Sequence, residues 1–172
     1  DGGWLIGIGV AAAFRNNLVM KSAARVRLDR QGNVTVETDM TDIGTGSYTV
    51  LGQTAAEMMG VSLDKVVVRL GDSSFPVSAG SGGQWGGNSA SSGVYAACVK
   101  LREMIAKKAG FDAADAVFAD GQIRSGSKSR PLAEFAGAQG LVAEDAIEFG
   151  DLGKQAQQST FGAHFVEVGV DA

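Results

Sequence analysis

At 172 residues, with 45 % hydrophobic and 20 % charged residues, the chain has the make-up of one globular domain or of two small lobes sharing a core. A formal charge of −4 offers no basic stripe to nucleic acid or an anionic membrane, and no apolar run approaches the roughly 20 residues that span a bilayer. A single cysteine, Cys98, and a single histidine, His164, exclude a disulfide framework and any cysteine- or histidine-rich metal centre.

Residues Trp4 to Val10 read as a short apolar strand, followed by the polar break Arg15-Asn16-Asn17. Arg25 to Leu28 and Val34 to Glu37 alternate at period two around Arg30-Gln31-Gly32-Asn33, which predicts an antiparallel hairpin with one buried face. After Asp42-Ile43-Gly44-Thr45-Gly46 the period changes. Tyr48, Leu51, Ala55 and Met58 then share one face of a predicted helix, with Ser47 as N-cap and Gly60 as a left-handed stop. Lys65 to Leu70 return to strand. A second helix is expected from Asn88 or Ser89 to about Ala109, with Val94, Ala97, Cys98, Leu101 and Ile105 as its apolar stripe and Gly110 at its end.

Ala116 to Arg124 hold a hairpin around Asp120-Gly121, and Pro131 suits the start of a short helix reaching Ala136. Leu141 to Phe149 read as a strand or edge segment, and Ser159 to Val170 as the last strand. Strands and helices interleave without a regular βαβ repeat, so the expected class is α+β, a mixed or antiparallel sheet with two main helices. The expected division is a lobe at 1–110 carrying two glycine-rich loops and a smaller α+β lobe at 111–172 completing the sheet. An opening at Asp1 and a closing strand-like run lead us to expect a piece of a longer subunit.

The two glycine loops carry the chemistry. Asp42 to Ser47 and Gly80 to Ser89 each lead into a helix. Glycine permits positive φ and close backbone approach, while a helix start adds unpaired N–H groups and a positive dipole end. Together these favour an anion, most naturally a phosphate. Simple corner-turning in a noncatalytic interaction domain is the plain alternative. No Gly-Lys-Ser/Thr follows the glycines, and the spacing is not that of a dinucleotide fingerprint. A nucleotide-dependent small-molecule kinase is a further alternative, but it needs a positioned lysine and a magnesium carboxylate.

The string Thr38-Asp39-Met40-Thr41-Asp42-Ile43-Gly44-Thr45-Gly46-Ser47-Tyr48, then Gln53-Thr54-Ala55-Ala56-Glu57, resembles the molybdenum-binding large subunit of the xanthine dehydrogenase and aldehyde oxidase family. Leu70 to Pro76, the second loop, Gly93 to Cys98 and Ser159 to Val168 continue the likeness in order. Thr45 stands where many members carry glutamine, a departure similar to the bacterial periplasmic aldehyde oxidoreductase branch.

The resemblance implies a molybdenum–molybdopterin cofactor in its cytosine dinucleotide form, with Gly44, Thr45 and Gly46 on the phosphate side and Gly83, Gln84 and Gly86 near the pterin dithiolene. It implies a substrate pocket at Val10, Ala11 and Phe14, where small residues at Ala11 and Ala12 would widen the funnel. It also implies the rest of the large subunit, an iron–sulfur subunit and an FAD subunit as partners, and a small aldehyde or heteroaromatic substrate hydroxylated with water. The compartment is periplasmic or cytoplasmic, with no signal peptide visible. The family's catalytic glutamate motif is absent, so no catalytic residue is expected in this chain, and Glu167 does not replace it.

Other chemically capable residues have structural uses. Cys98 lies on the apolar stripe of the second helix, Asp39 and Asp42 suit loop N–H groups, and Asp72 suits a turn. Trp85 suits either the core or packing on a cofactor or partner, and Gln84 is the best side chain for a direct polar contact with the cofactor.

Overall fold

The computed structural model describes residues 3–147, 150 and 152–171. The expected hairpin is present as β2 (Ser22–Leu28) and β3 (Val34–Thr38), with Arg25 opposite Glu37 and Leu28 opposite Val34. Its alternation buries Val26, Leu28, Val34 and Val36 completely on one face. From β3 the chain passes through α1 (Ser47–Met59) to β4 (Val66–Leu70), which pairs parallel to β3. This crossover makes the sheet mixed.

The sheet order is β4-β3-β2-β8, with β8 (Leu141–Ile147) returning from far along the chain to the open edge of β2. Glu148 and Phe149, included in the expected strand, lie outside the described residues. The long helix α2 (Gly86–Ala109) lies across β2 and β8 and against α1. Its predicted stripe of Val94, Ala97, Cys98, Leu101 and Ile105 is fully buried, and Gly110 closes it in the left-handed region at φ 73.

Helix α1 departs from its predicted face. Tyr48 is exposed while Ser47, Leu51, Ala55, Ala56 and Met59 are buried, so the packed stripe is rotated by about one residue. Gly46, not Ser47, is the N-cap, held at φ 76. Helix α2 begins two residues before the predicted Asn88, at Gly86.

A separate antiparallel sheet contains β5 (Val117–Ala119), β6 (Gln122–Ser125) and β7 (Lys128–Pro131), the last without a sequence signal. Asp120 and Gly121, at φ 55 and 71, form the turn of the expected hairpin. The expected helix after Pro131 is a single 3-10 turn, Leu132–Phe135.

β1 (Trp4–Asn16) is longer than the predicted Trp4–Val10 and runs through the alanines and the polar Arg15-Asn16. It pairs along its whole length with β9 (Ser159–Asp171), forming a two-stranded ribbon apart from the main sheet. Among the described residues no helix is long and apolar enough to cross a membrane.

Candidate functional site

The ends of β2 and β3 hold both glycine loops. Thr38 Oγ1 donates to the Ala23 carbonyl at 3.0 Å, closing the end of the hairpin. The loop before α2 hangs on the same strand ends. Ala23 N donates to Val77 O at 2.8 Å, Asp39 N to Pro76 O at 3.0 Å, Ser78 N to Asp39 Oδ1 at 2.6 Å and Ala79 N to Ser22 Oγ at 3.0 Å. Ser81 Oγ then donates to Thr41 O at 2.7 Å, tying one glycine loop to the other.

Between the loops lies a hollow of about 450 Å³. Of the predicted site residues, Thr45, Gly83, Gln84 and Gly86 line it; Gly44 and Gly46 do not. Asn17, Met40, Ile43, Ser81, Gly82, Gly87 and Asn88 complete the wall. A larger concavity of about 720 Å³ lies at the other end of α1, where Gly121 N donates to Gly60 O at 2.8 Å and the small sheet meets the helix. We take the smaller hollow as the site because only it gathers the start of a long helix and both glycine loops.

The two loops differ in electrostatics. In the first, the Asp42 carboxylate turns back on its own backbone. Oδ1 accepts from Gly44 N and Thr45 N at 2.9 Å each, and Oδ2 from Tyr48 N at 3.3 Å. Desolvation acts to raise its pKa, but the amides of Tyr48, Gly44, Thr45 and Gly46 together hold it below the ordinary carboxylate value. Donors that the sequence offered to an external anion are therefore already engaged by an internal one. Thr45 Oγ1 lies 3.1 Å from Ser47 Oγ.

In the second loop Trp85 N closes a turn on Gly82 O at 3.0 Å, and Ser89 N makes the first bond of α2 to Trp85 O at 2.9 Å. The amides of Gly86, Gly87 and Asn88 precede that bond and have no protein acceptor among the described residues. No acidic residue occupies this first turn. The open N–H groups and the positive end of a 24-residue helix thus border the hollow.

The glycines here have separate reasons. A Cβ on Gly83, at φ 42, would lie 1.7 Å from the Trp85 ring, and one on Gly86 would lie 2.8 Å from Gly80 O and 2.9 Å from Met40 Cε. A Cβ on Gly87 would meet nothing within 4 Å. Gly87 is an ordinary helical residue lining the hollow, so neither packing nor positive φ demands glycine there.

Gln84 sits at φ 70, and its Nε2 donates to Thr160 Oγ1 on β9, so its amide is spent on the ribbon. Nearby, Asn88 Nδ2 donates to Asn17 O at 2.9 Å and Met20 N to the buried Ser89 Oγ at 2.8 Å. The root of the ribbon is thereby stitched to the start of α2.

The remaining candidates lie elsewhere. Strand alternation puts Val10 and Phe14 on one face of the ribbon and Ala11 on the other, and none of the three lines the hollow. His164 is paired with Ala11 on that exposed ribbon. Cys98 is buried, and burial pushes its thiol up to about 12, which makes it a packing residue. Asp72 accepts from Ser74 N at 2.8 Å in a turn. The Trp85 ring covers the Gly82–Gly83 backbone.

Among the described residues no lysine or carboxylate lines the hollow, so the parts a triphosphate site requires are not gathered there. Of the lining residues not assigned to the cofactor from sequence, Ile43, Ser81, Gly82, Gly87 and Asn88 lie in the two glycine loops, and Asn17 and Met40 lie outside them.

Residues 1–172 match a family model described as molybdopterin cofactor-binding domain. The aldehyde oxidoreductase molybdenum-binding subunit PaoC of Escherichia coli strain K12 is 67 % identical over 170 residues, 99 % of this chain and 23 % of the relative. Its counterpart in Escherichia coli O157:H7 is 68 % identical over the same shares. The chain thus spans 23 % of the length of these curated relatives. Among solved structures, quinoline 2-oxidoreductase from Pseudomonas putida 86 shares the fold with a TM-score of 0.73 at 22 % identity, over 98 % of this chain and 25 % of that one. The aldehyde oxidoreductase of Desulfovibrio gigas aligns with a TM-score of 0.65 at 19 % identity, over 99 % and 19 %.

Proposed function

This chain belongs to the molybdopterin cofactor-binding domain family, and on that premise we propose that its hollow is one wall of a molybdopterin site in the molybdenum-binding subunit of an aldehyde oxidoreductase. The observation that carries this is the hollow itself. It joins both glycine loops, is bordered by three helix-start amides without acceptors, and leaves open the space a Cβ on Gly87 would fill.

The anionic phosphate of the cofactor, in its cytosine dinucleotide form, is held by the amides of Gly86, Gly87 and Asn88, where dipole and donors add. The first loop has a different part. With Asp42 inside it, it repels a second anion, so Gly44 and Gly46 shape the loop while Thr45 and Ile43 wall the uncharged part of the ligand. Gly83 and Gly86 let the second loop fold tightly, and Gln84 anchors it to the ribbon.

When bound, the cofactor supplies a centre at which an aldehyde or N-heterocycle is hydroxylated with oxygen from water and gives up two electrons. This chain's hollow binds and orients it: Asn17, Thr45, Ser81, Gln84 and Asn88 are its polar side chains, and none titrates near neutral pH. The proton-transferring base, the iron–sulfur subunit and the FAD subunit are assigned to polypeptide beyond these residues.

The test is metal and nucleotide analysis of the full-length subunit, purified with its partners from molybdenum-replete cells. The expected result is close to one molybdenum and one cytidine nucleotide, released by acid hydrolysis, per subunit. Preparations that carry neither would refute the assignment.

A further inference from the structure

The β1–β9 ribbon is the part of this molecule that the main core does not account for. All 13 residues of β1 and all but the first of β9 are exposed. The ribbon nonetheless holds 11 of the 21 exposed large hydrophobic residues among those described, including Ile8 at 76 %, Phe165 at 77 % and Phe161 at 89 %. A two-stranded ribbon has no interior, and alone in water it is marginally stable. At about 3.3 Å per residue and about 4.8 Å per strand, each face covers on the order of 400 Å². That is the size of the largest apolar patch on a typical monomer, about 300–600 Å², and here there are two.

The faces are unlike. One carries Trp4, Ile6, Ile8, Val10 and Phe14, with Phe165 and Phe161 opposite Val10 and Phe14 and the acidic Glu167 and Asp171 opposite Ile8 and Trp4. The other carries Leu5, Gly7, Gly9, Ala11 and Ala13 opposite Val170, Val168, Val166, His164 and Gly162, so its β1 strand is mostly small and its β9 strand is not. A second copy meeting the ribbon across a two-fold axis would use the same patch on both molecules and cover one face. Two unlike faces need two unlike surroundings. The relatives contain these strands within a polypeptide of which this chain is 23 %, so the surrounding chain is available in the same molecule.

We infer that the β1–β9 ribbon is an insertion arm, buried on both faces by the remainder of its own molybdenum-binding subunit, the aromatic face entering a groove that is apolar except where it meets Glu167, and the small residues of β1 on the other face approached closely by backbone. This rests on the proposed function only in taking the chain as one segment of that longer subunit. The bonds from Gln84 to Thr160 and from Asn88 to Asn17 O then give the arm a purpose. They connect its docking to the loop and helix start that border the hollow.

The experiment uses the full-length subunit in its complex, with a photo-cross-linking amino acid at Ile8 or at Gly9 and hydrogen exchange read by mass spectrometry. Links from both positions to the same polypeptide, with ribbon amides exchanging as slowly as those of β2, are the expected result. Links to a second copy or to another subunit, or ribbon exchange as fast as surface loops, overturn the inference. Gly9→Val supplies a sign. Gly9 has open space around it and no positive φ. Valine there raises or preserves the Tm if that face meets water, and lowers it by a few degrees if backbone lies against it. None of these readouts needs bound molybdenum, so a docked arm on a metal-free protein would sink the proposed function and leave this inference standing.

Discussion

The two glycine loops of this chain look interchangeable in sequence, each a flexible run feeding a helix, yet they end in opposite electrostatic states. At α1 the Asp42 carboxylate takes the amides of Gly44, Thr45 and Tyr48, so the helix start is satisfied from within. At α2 no acidic residue enters the first turn, and the amides of Gly86, Gly87 and Asn88 stay available. A glycine-rich helix start is therefore an anion site only if the loop does not carry its own anion. One carboxylate, four residues before the second glycine of Gly44-Thr45-Gly46, separates a loop whose amides are engaged from one whose amides are open.

The largest effect expected from challenging this contrast is at Gly86. In Gly86→Ala the new methyl meets Gly80 O at 2.8 Å, and backbone has to move. We expect a loss of about 1–3 kcal/mol in urea unfolding, together with at least a tenfold fall in bound molybdenum. Unchanged metal content in a destabilised variant would break the assignment of the anion to α2.

Asp42→Ala should have a smaller effect and in one dimension only. The Tm falls because loop amides lose their acceptor, while molybdenum content stays near that of the parent. The pH dependence has a definite sign. The folded-state pKa of Asp42 is depressed, so its contribution is complete above about pH 4 and is lost as the pH falls through the folded value. The stability gap between parent and Asp42→Asn should accordingly close on acidification from about pH 5 to about pH 2, measured by thermal melts. A gap that widens instead would show that the carboxylate is not held by these amides.

Gly87→Ala is the most delicate test, because its two readouts move in opposite directions. Alanine in a helical first turn stabilises by about 0.5–1 kcal/mol relative to glycine, and nothing within 4 Å opposes the methyl. Gly87 lines the hollow, so a severalfold decrease in cofactor retention should accompany the higher Tm. Improved stability with full retention would place the ligand away from this wall.

Much of the fold was legible because it is written in local periodicity. The β2–β3 hairpin and the α2 stripe follow from spacing alone, and Gly60 and Gly110 end their helices as lone left-handed residues. The misses share a cause. β1 continues through Ala11 to Asn16 because β9 pairs with every residue of it, not because alanine favours a strand. β7, Lys128–Pro131, has no apolar alternation and exists as an edge added to β6. The rotation of α1 reflects what lies under it, burying Met59 and leaving Tyr48 outside.

By itself the sequence determined the steric and dipolar facts of single segments: which turns can take positive φ, where helices start and stop, and that a carboxylate beside a glycine turn will find its own amides. These depend on atoms a few residues apart. Which helix start keeps its amides open, that Asn17 and Met40 share a wall with Gly87, and that Gln84 on that wall also bonds the ribbon were decided only in three dimensions. The contacts responsible join residues as much as 76 positions apart in the chain, and no local periodicity encodes such a pairing.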